Sequence, residues 1–359
     1  MESNHTPILP NPNSKDLNRL QIPDLNVLNL DQDTRTALRR LQEQGFDQTD
    51  LSSQLLKNPR RLAAVLVLLY SSPSPSHPES SDSLELPTSS KASTLRVLLT
   101  TRSKSLRSHP GQTALPGGRV DEDDREPKVL WGAFREAYEE VGLPFPTALL
   151  STVSNTPASS SNGELGSTPM LDDKQTISEL SLPHIPDIHI LCTLSPHLSQ
   201  WGLIVVPVIA YLSGPISSAS TSTHEYTLSP NLTLRANPTE VDRIFTHPLE
   251  SVLDPSLAST SGDLSDLAEK GSEDWPYEED LYNFTDRPFP QLGNTVYRMH
   301  RFRSVASPIK GLTAEILMRI ARIAYARAPV PSIEQYAPGQ ITGFEEISKA
   351  LDQYGGIRP

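Results

Sequence analysis

Hydrophobic residues in this chain are gathered into short blocks, separated by polar stretches rich in Ser, Thr and Pro. One of the blocks, Arg61–Tyr70, is a continuous apolar run, which predicts a strand buried on both faces of a sheet, and Thr94–Thr101 is predicted to be another strand. We expect these two strands to be neighbours, with a disordered insertion between them. Pro207 in a later block indicates an edge strand or a bulge, because proline cannot donate to the ladder. The further predicted strands are Asp187–Leu194, Leu203–Leu212 and Val296–Phe302.

Helical periodicity appears towards both ends of the chain. Leu312–Arg327 is amphipathic and predicts a surface helix. Its apolar stripe consists of Leu312, Ile316, Ile320 and either Ile323 or Ala324. Near the other end, Asp33 or Thr34 is expected to cap a helix running to about Gln44, and a second short helix is expected over Asp50–Lys57. The order of strands, helix, strands and helix predicts an α/β fold with helices on both faces of the sheet.

The polar stretches divide the chain into segments. We predict a disordered N-terminal segment over 1–28, N-terminal helices over 29–58, one folded domain over 59–330, and a C-terminal tail over 331–359. Four stretches inside the domain are too polar and too rich in Pro to pack, so they are predicted to be disordered insertions. They lie near 71–92, 151–186, 213–235 and 254–275.

Composition narrows the functional classes. The net charge of −12 disfavours a nucleic-acid-binding protein and a protein bound to anionic membranes. The single cysteine, Cys192, falls in a predicted strand, so we expect it to be a core residue. Because one cysteine cannot form a disulfide within the chain, the count fits a reducing compartment. The apolar runs are shorter than the roughly 20 residues that span a bilayer. No secretory signal, transit pattern or SKL ending is recognised, so the cytoplasm is the default location and the peroxisome stays open. The oligomeric state is left open.

The most informative stretch begins at Pro116 and ends at Leu143. If its end is helical, Glu136, Glu139 and Glu140 are spaced i, i+3 and i+4 and share one helical face. Three like charges on one face repel each other, and a bound divalent cation reverses the sign of that energy. Mg²⁺ prefers oxygen ligands and keeps positions open for phosphate and water. The stretch therefore predicts a metal-dependent phosphate site. The alternative is a solvated acidic helix face.

These residues carry a resemblance to the Nudix box, Gly-x5-Glu-x7-Arg-Glu-U-x-Glu-Glu-x-Gly-U, in which U is aliphatic. The second half matches from Arg135 to Leu143, with Ala137 at the first aliphatic position. The first half departs, because Arg135 lies 17 residues after Gly118, three more than in the general pattern. The position of the first glutamate holds Pro127. The acidic residues that are available as substitutes are Glu122, Asp124 and Glu126.

A second motif lies directly upstream. Leu98–Gly118, LLTTRSKSLRSHPGQTALPGG, is similar to LLTxRSxxLRxHxGxxxFPGG, a signature of the coenzyme A diphosphatases within the Nudix family. Leu115 replaces the Phe of that signature. Downstream, Asn237–Val241 and Ile309–Ala314 resemble the NPxEV and IWGxTA stretches of the same subfamily, with Lys310 in place of Trp. Glu240 in the first of these is either a further metal ligand or general base, or simply the start of a strand.

The resemblance implies a Nudix α/β/α sandwich with a mixed sheet, interrupted by the insertions, in which the metal helix is Lys128–Val141. It implies a small-molecule substrate, coenzyme A or acyl-CoA, cut at the diphosphate into 4′-phosphopantetheine (or its acyl form) and adenosine 3′,5′-bisphosphate. Mg²⁺ or Mn²⁺ is the implied cofactor, with Glu136, Glu139 and Glu140 as its ligands and Arg135 as the residue that orients them. The implied substrate-binding residues are Arg102, Arg107, His109, Gly117 and Gly118.

Other possibilities stay open at this point. The substrate of a Nudix protein can instead be ADP-ribose, a dinucleotide or a nucleoside triphosphate, and the chain can be a non-catalytic module that binds a nucleotide or a protein. Arg102 and Arg107 can serve only to pair with the acidic residues of 121–124 and hold the loop. His109 can serve only as a hydrogen-bonding residue that fixes the loop.

Overall fold

The structure is a computed structural model that describes residues 23–47, 62–73, 93–154, 187–214, 219–220, 222–259 and 266–354. The helix predicted over Asp50–Lys57 lies outside the described residues, as do 1–22 and most of the insertions near 71–92 and 151–186.

A mixed eight-stranded sheet forms the centre of the fold. Its main path runs β11-β2-β1-β7-β5, with the short strands β3, β4 and β6 paired to β2, β1 and β7. The first two strands are antiparallel neighbours, as predicted, whereas β1 and β7 run parallel. The strands of this sheet are β1 (Leu62–Pro73), β2 (Ser93–Arg102), β3 (Thr113–Ala114), β4 (Gly117–Arg119), β5 (Ile188–Thr193), β6 (His197–Leu198), β7 (Ile204–Leu212) and β11 (Val241–Pro248).

Strand β1 is buried on both faces because its side chains alternate between two hydrophobic cores. Val67 and Leu69 belong to one core, and Leu66 and Leu68 belong to the other. Helices cover both faces, which confirms the α/β class with a mixed sheet between helices. The helices are α1 (Gln32–Gln42), α2 (Lys128–Val141), α3 (Thr147–Ser154), α4 (Gly311–Tyr325) and α5 (Phe344–Gln353).

The two cores receive different helices. The apolar face of α2, including Phe134 and Val141, packs on one side of the sheet, and α1 and α4 pack on the other. The N-cap of α1 is Asp31, whose carboxylate accepts a hydrogen bond from the Thr34 N–H at 2.9 Å. The predicted caps, Asp33 and Thr34, therefore lie inside the helix. Asp31 is the capping residue because its side chain reaches the backbone N–H three residues further along the chain.

Pro207 lies in an interior strand, since β7 pairs with β1 on one side and with β5 and β6 on the other. The predicted edge position is therefore wrong. The carbonyl of Pro207 accepts a hydrogen bond from the Leu194 N–H at 3.1 Å, where the neighbouring chain passes from β5 to β6. The missing proline N–H thus falls at an interruption of the ladder, which is the same physical requirement that confines proline to edges.

Two segments predicted to be disordered insertions contain packed structure in the parts that the structure describes. Residues near 213–235 form a small sheet of β8 (Ala219–Ser220), β9 (Glu225–Ser229) and β10 (Leu232–Arg235), with Leu228 and Leu234 fully buried. The segment near 254–275 ends in Trp275, which is also fully buried. Sequence polarity misses these segments because a few well-spaced apolar residues suffice to anchor a polar stretch.

The described part of the C-terminal tail, residues 331–354, also packs against the fold, next to a third sheet. A third sheet is made by β12 (Tyr282–Phe289), β13 (Thr295–Phe302) and β14 (Ile309–Lys310). Helix α5 lays Ile347 and Leu351 against Phe289 and Leu292 of this region. Cys192 is buried in the core, as predicted, and burial raises the pKa of its thiol to about 12. None of the described helices has the length and apolar character needed to cross a membrane.

Candidate active site

Helix α2 presents the acidic residues at one end of the central sheet. It begins directly after Pro127 and ends at Gly142, whose left-handed conformation (φ 69°) closes the helix with an N–H to the Tyr138 carbonyl at 2.8 Å. The predicted bounds, Lys128–Val141, are confirmed. Because Ala137 and Val141 face the core, the opposite face carries Glu136 and Glu139.

Strand β4 brings two glycines against these carboxylates. The Gly117 N–H donates to Glu140 Oε2 at 3.2 Å. A Cβ on Gly118 would lie 2.5 Å from the carboxyl carbon of Glu136, so only glycine leaves room for that side chain. Gly117 has φ 149°, and a Cβ there would lie 2.4 Å from the Ala64 carbonyl oxygen. The two glycines therefore serve different neighbours, the sheet at Gly117 and the carboxylate at Gly118.

The surroundings of Glu136 and Glu140 disfavour the charged form of these carboxylates. Glu140 is 5% exposed, and burial raises its pKa to about 8, with the charges of Glu136 and Glu240 adding to the effect. The Gly117 N–H and Arg102 act in the opposite direction. Burial also raises the pKa of Glu136, against the lowering effect of Arg135. Glu240 comes directly before β11 and its charge raises both pKa values, so it both precedes a strand and lies within electrostatic reach of the acidic cluster.

Arg135 connects the acidic face of the helix to the preceding loop. Its Nη1 donates to Glu136 Oε1 at 3.1 Å and to Glu139 Oε2 at 3.2 Å. Its Nε and Nη2 donate to the two oxygens of Asp124 at 2.8 and 3.2 Å. Hydrogen bonding to Asp124 raises the pKa of the guanidinium, and the charges of Glu136 and Glu139 raise it further. The arginine therefore stays charged and fixes the positions of three carboxylates.

Asp124 is the acidic residue of the longer loop that meets Arg135 in this two-point contact. Its side chain is 5% exposed, whereas Glu122 and Glu126 are exposed. Asp124 Oδ2 also accepts the Asp121 N–H at 2.7 Å, which closes the loop on itself. The sequence alone could not distinguish Asp124 from Glu122 and Glu126. Because the loop is three residues longer than the general pattern, the usual number of residues before Arg135 no longer identifies the acidic position.

The carboxylates of the helix have the chemistry that a divalent cation needs, but they are not gathered around one point. Among the described residues, no three His, Cys, Asp or Glu side chains are arranged to enclose a metal ion. Instead, the carboxylates of Glu136 and Glu139 both form ion pairs with Arg135. Carboxylate oxygens are the ligands that Mg²⁺ and Mn²⁺ prefer, and the buried, repelling charges of Glu136 and Glu140 favour a cation between them. To share one cation, Glu136 and Glu139 must exchange Arg135 for the metal.

The signature segment folds into the hairpin between β2 and β3, beside the helix. Arg102 Nη1 lies 4.0 Å from Glu140 Oε1, and its Nε is buried without a hydrogen-bond partner in the described part of the chain. Arg107 is exposed and makes no ion pair with any described residue. The alternative in which these two arginines pair with residues 121–124 is therefore wrong. Arg135 makes those pairs, with Asp121 at 3.4 Å in addition to Asp124.

His109 occupies a strained position at the tip of the hairpin, with φ 54°. Its Nδ1 lies 3.1 Å from Gln112 Oε1, as expected of a residue that fixes the loop. Its ring also meets the edge of Trp201, with the centroids 6.1 Å apart. The Trp201 side chain is 68% exposed, and sequence patterns did not single it out. An isolated tryptophan in a polar turn was the only available signal.

Comparisons with known proteins lead to Nudix hydrolases. No family model matches the chain. Nudix hydrolase 22, chloroplastic, of Arabidopsis thaliana is 28% identical over 74% of this chain and 60% of its own length. Nudix hydrolase 15, mitochondrial, of the same plant is 28% identical over 83% of this chain and 71% of its own length. A shorter match of 49 residues, 53% identical, links 14% of the chain to 20% of the peroxisomal coenzyme A diphosphatase ndx-8 of Caenorhabditis elegans.

Among solved structures, a NUDIX hydrolase from Alicyclobacillus acidocaldarius is similar over 55% of this chain and 82% of its own, with 19% identity and a TM-score of 0.27. The curated plant relatives that align with 74% and 83% of this chain share one family name, and that name is also the one suggested by the motif from Arg135 to Leu143. Over most of its length, the chain is therefore similar to Nudix hydrolases, the superfamily whose motif it resembles from Arg135 to Leu143.

Proposed function

We propose that this protein hydrolyses the diphosphate bond of coenzyme A or an acyl-CoA, giving 4′-phosphopantetheine or its acyl form and adenosine 3′,5′-bisphosphate. One observation carries the proposal. The hairpin with the coenzyme A signature folds against the acidic helix, so that Arg102 lies 4.0 Å from Glu140. A cationic group and a candidate metal-binding carboxylate thus meet where a diphosphate would bind. The 53% identical match to a coenzyme A diphosphatase over 49 residues supports the same substrate.

Each residue of the site has a role in this reaction. Mg²⁺ or Mn²⁺, held by Glu136, Glu139 and Glu140, would neutralise the diphosphate and activate water for its hydrolysis. Arg135 orients Glu136 and Glu139 until the cation takes its place, and Asp124 keeps the guanidinium within reach. Gly118 leaves the space that the Glu136 carboxylate occupies.

The basic residues of the hairpin bind the anionic substrate. Arg102 has a buried Nε with no partner among the described residues, and Arg107 is exposed with no ion pair among them. Guanidinium groups bind phosphate oxygens in pairs, so these donors suit a diphosphate better than a lysine would. His109 holds the turn between the two arginines and β3 through Gln112.

The test is a hydrolysis assay with coenzyme A, acetyl-CoA and ADP-ribose, each with Mg²⁺ or Mn²⁺, and with the products identified by mass. We expect coenzyme A or its acyl form to be the best substrate and EDTA to stop the reaction. Arg102→Ala should lower kcat/KM for coenzyme A by about tenfold or more, as expected for the loss of a charged hydrogen bond. Faster turnover of ADP-ribose would overturn the assignment of coenzyme A as the substrate. No turnover of any of the three compounds would favour a non-catalytic binding module.

Metal binding is tested separately from turnover. A cation that binds only the folded chain raises its Tm. Mn²⁺ should therefore raise the Tm of the wild type and leave that of Glu139→Gln and Glu140→Gln nearly unchanged, and both variants should lose turnover. The exposed Glu345→Gln serves as the control and should respond to Mn²⁺ like the wild type. Full turnover in both site variants would refute the metal site.

A further inference from the structure

A cationic face lies on the three-stranded sheet β12-β13-β14. Arg301 of β13 stands opposite Lys310 of β14, and Arg287 of β12 stands opposite Tyr297 of β13. Side chains of directly opposed residues share a face, and so do residues four apart in one strand. Arg287, Arg301 and Lys310 therefore project from the same face, and we call these three residues the cationic face.

The three charges are not neutralised by ion pairs among the described residues. Arg301 is 5% exposed, and its Nη1 donates to two neutral oxygens, Asn283 Oδ1 at 3.1 Å and Thr285 Oγ1 at 2.8 Å. Its guanidinium carbon lies 5.3 Å from the centre of the Tyr277 ring. Arg287 is exposed and, like Lys310, has no hydrogen bond or ion pair to a described side chain.

The electrostatics of Lys310 reflect this crowding. Burial lowers the pKa of its ammonium group, and the charges of Arg301 and Arg287 lower it further. The carboxylate of Glu279 reaches this network only through Asn283, whose amide nitrogen donates to Glu279 Oε2 at 3.2 Å. Gathering like charges in a partly buried place is unfavourable, and a bound anion reverses the sign of that energy.

Helix α4 adds to the positive potential. Lys310 is its N-cap residue, its side chain makes no capping hydrogen bond, and the first turn carries no acidic residue. The N-terminus of this 15-residue helix is the positive end of its dipole. Its direction therefore reinforces the charge of the cationic face.

The cationic face borders the signature hairpin. Thr313, in the first turn of α4, donates to the Thr113 carbonyl at 3.4 Å. Thr113 in turn donates to the Ser307 carbonyl at 2.6 Å, in the loop that leads into β14. Thr113 belongs to β3, the returning strand of the hairpin that begins at Arg102. A ligand that lies along the hairpin therefore has the acidic helix at one side and the cationic face at another.

We propose that the cationic face binds a phosphomonoester of the substrate, separate from the diphosphate that is cut. Resting on the proposed function, this group is the ribose 3′-phosphate of coenzyme A. Lys310 stands where the subfamily pattern has Trp, so the recognition is built from residues of this chain. The face makes the protein selective for nucleotides that carry both a diphosphate and a phosphomonoester.

The kinetic test compares coenzyme A with 3′-dephospho-coenzyme A. Lys310→Ala and Arg287→Ala should each lower kcat/KM for coenzyme A by about tenfold, the value of one charged hydrogen bond. Both should leave kcat/KM for the dephosphorylated analogue unchanged, and Lys310→Arg should restore most of the loss. Lys349→Ala, an exposed lysine on α5, is the matched control and should change neither value. Equal losses for both substrates, or no loss for either, would overturn the proposal.

A binding measurement separates this proposal from the proposed function. By calorimetry without divalent cation, the wild type should bind adenosine 3′,5′-bisphosphate at least about tenfold more tightly than AMP, and Lys310→Ala should lose that preference. Equal affinity of the wild type for the two nucleotides refutes the cationic face, even if coenzyme A is hydrolysed. A clear preference combined with no coenzyme A turnover refutes the proposed reaction and retains the binding face.

Discussion

At the scale of single residues, Glu140 is held in surroundings that disfavour its charge. Its carboxylate is buried, accepts one backbone N–H, and lies near the negative charges of Glu136 and Glu240. Burial is the largest cause of its raised pKa, which is about 8. The folded protein therefore binds the Glu140 proton more tightly than the unfolded chain does, and this difference has a measurable effect on stability.

We predict that Glu140→Gln stabilises the protein at alkaline pH. Below the ordinary pKa of 4.5 both states are protonated, so the charge has no effect. As the pH rises from there towards 8, the folded state is progressively disfavoured, because each unit of pKa difference is worth about 1.4 kcal/mol. Without divalent cation, the variant should gain up to roughly 2 kcal/mol at pH 8.5 and much less at pH 5, as measured by urea unfolding.

Glu139→Gln is the control for this prediction. Glu139 lies one position away on the same helix, but its side chain is 49% exposed and its pair with Arg135 is a surface ion pair. Its removal should change the free energy of unfolding by less than about 1 kcal/mol at either pH. Equal effects of the two variants, or a gain for Glu140→Gln that does not depend on pH, would contradict the explanation.

Asp124 is a positioning residue, because it acts through Arg135. We predict that Asp124→Asn lowers turnover by about tenfold or more and Tm by a few degrees, since one charged, two-point hydrogen bond to Arg135 is lost. Glu122→Gln and Glu126→Gln, in the same loop, should leave both values unchanged. A Mn²⁺ titration distinguishes the roles, because Asp124→Asn should also weaken the Tm rise caused by the metal. Loss of activity in Glu122→Gln or Glu126→Gln, with Asp124→Asn unaffected, would reassign the partner of Arg135.

At the scale of elements, the site depends on how strand β4 meets helix α2. β4 pairs with β1, with Gly118 opposite Ala64 and Gly117 opposite Val65. This register puts one glycine against the backbone of β1 and the other against the carboxylate of Glu136. The two adjacent glycines in this short strand therefore have different roles, and substituting each one in turn distinguishes these roles.

We predict that Gly117→Ala impairs folding, whereas Gly118→Ala impairs mainly activity. At Gly117 a Cβ meets the backbone of Ala64 and Val65, which cannot move without shifting β1. At Gly118 it meets the end of the flexible Glu136 side chain, which can turn away. Thermal unfolding and turnover should therefore give a large loss of Tm for Gly117→Ala, and a near-normal Tm with lost turnover for Gly118→Ala. The reverse pattern would show that the strand is placed differently.

At the scale of the whole molecule, the C-terminal segment joins the sheet β12-β13-β14 to the rest. Arg298 of β13 pairs with Asp286 and with Glu334 of the segment, both at 2.8 Å. Helix α5 contributes Leu351, 1% exposed, to a cluster with Leu198 of β6 and Phe289 of β12. The tail therefore connects the central sheet to the sheet that carries the cationic face.

We predict that Leu351→Ala destabilises this packing by roughly 2–4 kcal/mol, the usual cost of removing a buried leucine. Hydrogen exchange of the α5 amides and thermal unfolding together measure whether the loss is local or global. Lys349→Ala, two residues away and exposed, removes only surface ion pairs with Glu345 and Glu346 and should have little effect. Similar losses for both variants would mean that the helix is not anchored by its apolar face.

The sequence by itself determined the features that depend on short spacings. The period of 3.6 residues places Glu136 and Glu139 on the face of α2 away from the core, and it predicts the apolar stripe of α4. The alternation of β1 between two cores followed from a continuous apolar run. The motifs carry the resemblance to the Nudix family, and the assignment of metal and substrate residues stays a prediction.

Only the tertiary structure decided which distant residues meet. Of the three acidic residues in the loop, Asp124 is the one that binds Arg135. Arg102 lies next to Glu140, and the buried Glu140 accepts a hydrogen bond from β4. The tertiary structure also packed the tail and brought Arg287, Arg301 and Lys310 to one face of a sheet. The physical reason is that burial and electrostatic energies depend on neighbours supplied by remote parts of the chain, whereas helix and strand periods are set by adjacent residues.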